Sequence, residues 1–88
     1  MYILSGGRNK FINLNNVANI HIKNQYMHHS KPDTWWEIRV LYPAAGSDIL
    51  YDTLCRYETE ELCRADFNKL CDRIANGKEN EVIDMKDL

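Results

Sequence analysis

The sequence has no apolar run approaching the roughly 20 residues that a membrane-spanning helix needs, and its opening, MYILSGGRNK, lacks the long apolar core of a secretory leader. Both absences make a cytoplasmic protein the expectation. Proline occurs twice and glycine four times, and no Pro-, Gly- or Ser-rich stretch divides the 88 residues, so one domain over 1–88 is expected. Three cysteines, Cys55, Cys63 and Cys71, leave no complete set of disulfide pairs, and their even spacing is not the C-x-x-C of a zinc site. Reduced thiols packed as small hydrophobes are the plain reading.

Catalytic patterns are missing as well. Ser5-Gly6-Gly7 has neither the length nor the following helix of a phosphate-cradling loop. Asp33, Glu37, Asp48 and Asp52 are acids without a motif, and no nucleophile stands in a recognisable relation to a base. His28 and His29 are adjacent, so their side chains diverge, and no carboxylate is fixed beside them by spacing. The chain is therefore expected to be neither an enzyme nor a metal or cofactor protein.

What is present is 44% hydrophobic residues, enough for a small core that buries roughly 60–65% of the unfolded surface. Charge is uneven. Residues 1–56 hold six Lys/Arg against four Asp/Glu, and residues 57–88 hold five against nine. An acidic C-terminal surface disfavours nucleic acid as a direct partner and better suits a basic protein, such as one that itself binds nucleic acid. Its acids, from Glu58, Glu60, Glu61 and Asp66 on to Glu79, Glu81, Asp84 and Asp87, are interrupted by Arg64, Lys69, Arg73 and Lys78. They read as a solvated face or as a steering surface for a basic groove.

Along the chain, Tyr2–Leu4 reads as a strand, with a turn at residues 5–9 where glycines can take positive φ, and a second strand over Phe11–Leu14. After the turn signal Asn15-Asn16, Ala18, Ile20 and Ile22 alternate with Asn19, His21 and Lys23, which is a half-buried strand. Residues 24–34, with Pro32, read as a mobile surface connection. A fourth strand from Trp35 puts Trp36, Ile38, Val40 and Tyr42 on the core face and Trp35, Glu37, Arg39 and Leu41 on the other, beside His21 and Lys23. Trp35 is then either an edge-strand tryptophan lying over alkyl chains or an interface anchor, Trp and Arg being enriched among binding hot spots.

After a turn at residues 43–47, DILYDTLCR alternates less cleanly. Leu50 and Leu54, or Ile49 and Tyr51, could face inward, and the pattern allows a bulge. The spacing predicts a helix over 60–76, with Thr59 as N-cap, Glu60 and Glu61 at its positive end and Asn76-Gly77 as its stop. Cys63, Phe67, Leu70, Cys71 and Ile74 form its apolar stripe. The acidic tail 78–88 carries Val82, Ile83 and Met85, which add a short edge strand, dock the chain end or fray. The fold class expected is α+β, an antiparallel sheet of about five strands over 1–56 packed against one C-terminal helix.

With FINLNNVANI and RYETEELCRADFNKLCDRIANGK both in view, the chain resembles small proteins of Gram-positive bacteria and their phages, in which an I-N-L-x-N-V strand-turn-strand precedes a sheet closed by a Y-x-T-E-E helix. The order of elements is also similar to a reduced pleckstrin-homology-like half-barrel, without the basic cluster those domains use for phosphoinositides. The resemblance implies a phage or mobile-element setting, in which small acidic proteins, anti-CRISPR proteins among them, act by binding a host machine. The expected function is a non-catalytic protein-binding module, an inhibitor of a host protein. Its contact residues would be Trp35, Glu37, Arg39, His21 and Lys23, with Tyr26 and His28 from the loop and Glu58, Glu60 and Glu61 from the helix start. The alternative is a small-ligand protein sequestering a nucleotide between subunits through Arg39, His21, Lys23 and Trp35. A homodimer through the Trp35 face is a third reading.

Overall fold

The structure is a computed structural model that describes residues 1–26, 34–43 and 50–88, with Tyr26 described in its backbone alone. The expected loop residues 27–33, with His28, and most of the turn expected at 43–47 lie outside the described residues. The α+β class and the C-terminal helix stand. The single five-stranded sheet does not: the strands form two three-stranded sheets.

The division starts at Leu14–Asn16. Here the chain coils into a short 3-10 turn, capped by Asn13 Oδ1 accepting from the Asn15 N–H at 3.0 Å. A side-chain amide satisfying the backbone locally ends the extended run. Strand β2 (Phe11–Asn13) therefore folds back only on β1 (Tyr2–Leu4), with Ile3 opposite Ile12. On the far side of β1 lies β6 (Val82–Asp84), parallel to it, with Ile3 opposite Ile83. The turn between β1 and β2 places its one positive φ at Arg8 (57°), and not at a glycine.

The larger sheet is antiparallel, with β3 (Asn19–Tyr26), central β4 (Thr34–Leu41) and β5 (Tyr51–Tyr57). The ends of the segment expected as a loop are thus strand, at Asn24–Tyr26 and at Thr34. A bulge resolves the facing of β5. Ile38 pairs with Cys55 and Arg39 with Thr53, so Leu54 is the extra residue and turns inward, 1% exposed. Leu50 and Tyr51 stay outside, at 57% and 48%.

Helix α1 runs from Glu60 to Asn76, with the Thr59 hydroxyl accepting from the Leu62 N–H at 3.3 Å. It ends at Gly77 in extended backbone, where a β-carbon would come within 2.7 Å of the Arg73 carbonyl oxygen. Here glycine answers a close approach. Cys63 and Leu70 are buried, with Phe67 and Ile74 half-buried beside them, whereas Cys71 is exposed. At 100° per residue, position 71 falls off the edge of the 63-67-70-74 stripe. The core joins both sheets and the helix through Ile3, Ile12, Ile38, Val40, Leu54, Cys63, Leu70, Ile83 and Met85. Full burial of each large apolar side chain among them stabilises the fold by about 1.5–3 kcal/mol. The helix packs against β3, β4 and β5 on this core side. Among the described residues, no helix lies over the opposite face of the larger sheet.

Candidate functional site on the outer face of the larger sheet

Alternation along β4 sends Ile38 and Val40 into the core and Trp35, Glu37, Arg39 and Leu41 to the outer face, where Lys23 stands opposite Glu37 and His21 opposite Arg39. An outer strand face usually meets water. Here Glu37 is only 3% exposed and Arg39 only 9%, because the polar side chains of this face cover one another.

Glu37 is the hub. Its Oε1 accepts from the Thr53 hydroxyl at 2.6 Å, and its Oε2 accepts from Trp35 Nε1 at 2.9 Å and from Arg39 Nη2 at 3.3 Å. Burial alone would raise the carboxyl pKa. The hydrogen bonds from Thr53, Trp35 and Arg39, with the Arg39 charge, outweigh it and hold Glu37 below the usual glutamate value. Gln25 lies against the same guanidinium. Only with its amide oxygen turned toward Arg39 do both groups find partners, and it then accepts from Nη1 at 3.1 Å and from Nη2. Arg39 Nε is buried without a partner among the described residues.

Two cations lie on aromatic rings. The Arg39 guanidinium sits 4.1 Å from the centre of the Tyr51 ring, and that of Arg56 lies 4.6 Å from the Trp35 ring. Trp35 is therefore not an edge-strand residue over alkyl chains. It is a half-buried residue of the central strand, fixed at its nitrogen by Glu37 and covered by Arg56.

Beside this cluster a hollow of about 630 Å³ opens between β3, β4 and β5, lined by Asn19, Ile20, His21, Lys23, Arg39, Leu41 and Tyr51. Its ionisable side chains are basic apart from the tyrosine. Burial, then the charges of Arg39 and Lys23, lower the His21 pKa and favour its neutral ring, whose Nδ1 is 3.1 Å from Asn19 Oδ1.

Five of the expected contact residues, Trp35, Glu37, Arg39, His21 and Lys23, thus share one face. The expected acids do not join them. Glu60 and Glu61 open the helix that packs on the opposite side of the sheet, where Glu60 pairs with Arg64 at 2.8 Å, and Glu58 is exposed in the turn before it. His28 and the Tyr26 side chain lie outside the described residues. Thr53, Arg56, Tyr51 and Gln25 are additional members of the face. For the first three the only sequence signal is the β5 alternation, which the bulge at Leu54 shifts by one.

No protein-family model matches the chain, and neither a curated protein nor a solved structure does.

Proposed function

We propose that the chain is a non-catalytic protein-binding module whose contact surface is the outer face of the larger sheet. The observation that carries this reading is the pair of cation-aromatic stacks, Arg56 on Trp35 and Arg39 on Tyr51, tied together through Glu37 on the face of the sheet opposite the helix. Trp, Tyr and Arg are the residue types that carry most of the energy of protein interfaces. Held in place beforehand, they lose little side-chain entropy on binding.

The same geometry argues against chemistry at this face. A general base must be open to its substrate, and both oxygens of Glu37, the buried carboxylate, are engaged within the network. Among the described residues the face carries Lys23, Arg39 and Arg56 against Glu37, so its sign suits an acidic partner surface rather than a basic one. The acids of the helix start belong to another side of the molecule and act, if at all, through solvent. In the phage or mobile-element setting that the sequence resembles, occupying a host protein's surface in this way amounts to inhibition.

The test is retention from a lysate of the encoding organism on immobilised wild type, Arg56→Ala and Glu61→Ala, both substitutions being at exposed positions. A protein kept by wild type and Glu61→Ala but lost by Arg56→Ala supports the reading. Equal retention by all three, or loss with Glu61→Ala alone, refutes it.

A further inference from the structure

We infer that the outer edge of β3 takes up an extended acidic segment of the partner as an added strand, with alternate carboxylates set beside His21 and Lys23 at the rim of the hollow and drawn by the Arg39 charge behind them. This rests on the reading of that face as a protein-binding surface, and it names the mode and the chemistry.

Strand β3 is the eight-residue edge of the larger sheet, and among the described residues no backbone group pairs with its outer side. The opposite edge is engaged, since the Gly6 N–H donates to the Leu54 carbonyl of β5 at 2.7 Å. The edges of the smaller sheet are three residues long. So β3 is the longest template for strand addition, the mode in which main-chain bonds give affinity and alternate side chains give specificity.

Spacing and charge define those side chains. His21 and Lys23 are two residues apart on the face that carries the hollow, so their separation along the strand is about 7 Å. A strand laid beside β3 repeats that interval, bringing every second side chain next to His21 and Lys23 at the rim of the hollow. Among the described residues three basic ones line it and no acid does, which selects carboxylates.

A phosphate group suits the site less well. Arg39 is only 9% exposed and its Nη groups already donate to Glu37 and Gln25, which leaves a phosphate little of the fork to grip, and the hollow opens on strand faces rather than on a helix N-terminus. What Arg39 supplies is a fixed positive field. The groups facing His21 are Lys23 on its own strand, Arg39 and Glu37 on β4 and Tyr51 on β5. A carboxylate arriving there meets Arg39 and Lys23, the two charges that, after burial, lower the His21 pKa.

The experiment is titration of the 15N-labelled full chain with a blocked hexapeptide alternating Glu and Thr, beside its Gln-Thr counterpart, followed by amide shifts. Expected are saturable shifts over Asn19–Gln25 and Arg39–Leu41, at least about tenfold weaker binding for Lys23→Ala, and none for the Gln-Thr peptide. Lys23 is exposed, and alanine sets no like charge opposite Glu37, so the variant keeps the fold. The inference is overturned if the shifts fall elsewhere, if the two peptides bind alike, or if Lys23→Ala changes nothing. It is equally overturned if inorganic phosphate or ATP binds these residues more tightly than the peptide, or if self-association already occupies β3. Should the peptide fail while Arg56→Ala still loses a retained protein, strand addition falls and the binding module stands. Peptide binding with no such retained protein would leave strand addition standing and the surface at Arg56 without a role.

Discussion

Trp35 and Glu37, two residues apart on one face of the central strand, are joined side chain to side chain, the indole nitrogen donating to the carboxylate at 2.9 Å. This bond turns a tryptophan and a buried acid into one unit. Thr53 and Arg39 complete the satisfaction of Glu37 from the neighbouring strand and from two residues along. A face read as solvated thereby becomes an ordered polar layer.

The hydrogen bond and the ring of Trp35 can be separated. Trp35→Phe keeps a ring for Arg56 and removes the donor, so it should cost about 1.5–3 kcal/mol, the range for hydrogen bonds to charged groups. Trp35→Ala also removes the half-buried ring and should cost more. Urea unfolding of the two variants checks the order; equal stabilities would contradict it.

Glu37→Gln should destabilise by about 3 kcal/mol or more, because it leaves the buried Arg39 guanidinium without its counter-charge. Glu60→Gln, at an exposed ion pair on the helix, should stay within about 0.5 kcal/mol of wild type. A Glu37→Gln midpoint indistinguishable from that of Glu60→Gln would remove Glu37 from the centre of the network.

The same carboxylate gives a pH dependence of known sign. Its folded pKa lies below the unfolded value, so as pH falls the unfolded chain takes up the proton first. Its stabilisation is full above pH of about 4.5 and is lost as pH drops through the folded value. Glutamine mimics the protonated form, so the stability gap between wild type and Glu37→Gln should be wide at pH 7 and close toward pH 3. A gap independent of pH would be inconsistent with a depressed pKa.

Thiol reactivity should follow placement. Cys71 is exposed, whereas Cys63 is buried and its thiol is pushed up to about 11 by burial foremost. A thiol reagent at pH 8 should modify Cys71 first and Cys63 only at the rate of unfolding. Mass spectrometry of the partly labelled protein reads the order directly.

At Arg8 the left-handed backbone supplies another comparison. A glycine accommodates φ of 57° without the steric cost of a β-carbon, about 1 kcal/mol. Arg8→Gly and Arg8→Ala both lose the 2.8 Å ion pair to Asp84, so the glycine variant should be the more stable by about that amount. Thermal melts of the pair measure it.

Local signals carried much of this fold. Helix 60–76 was legible from Thr59, its acids and its apolar period, and the facing of Trp36, Ile38 and Val40 from simple alternation. What alternation reports is which way a side chain points. It says nothing about whether Glu37 and Arg39, pointing outward, will be covered by Trp35, Tyr51 and Gln25. The parallel pairing of Ile3 with Ile83 joins the two ends of the described chain and leaves no mark in either segment. The break into two sheets comes at the 3-10 turn of Leu14–Asn16: Asn15-Asn16 signals a turn, but a turn signal does not say whether the next strand joins the same sheet. The bulge at Leu54 hid Arg56, Thr53 and Tyr51 from the site for the same reason: one inserted residue reverses every facing beyond it.

The most direct measurement is calorimetric: the dissociation constant of the retained partner protein for wild type and for Arg56→Ala, at one salt concentration. Removing a guanidinium stacked on Trp35 should weaken binding at least about tenfold, or about 1.4 kcal/mol, with Glu61→Ala unchanged. Affinity unaltered by Arg56→Ala and lost with Glu61→Ala would place the contact on the acidic helix and contradict the account.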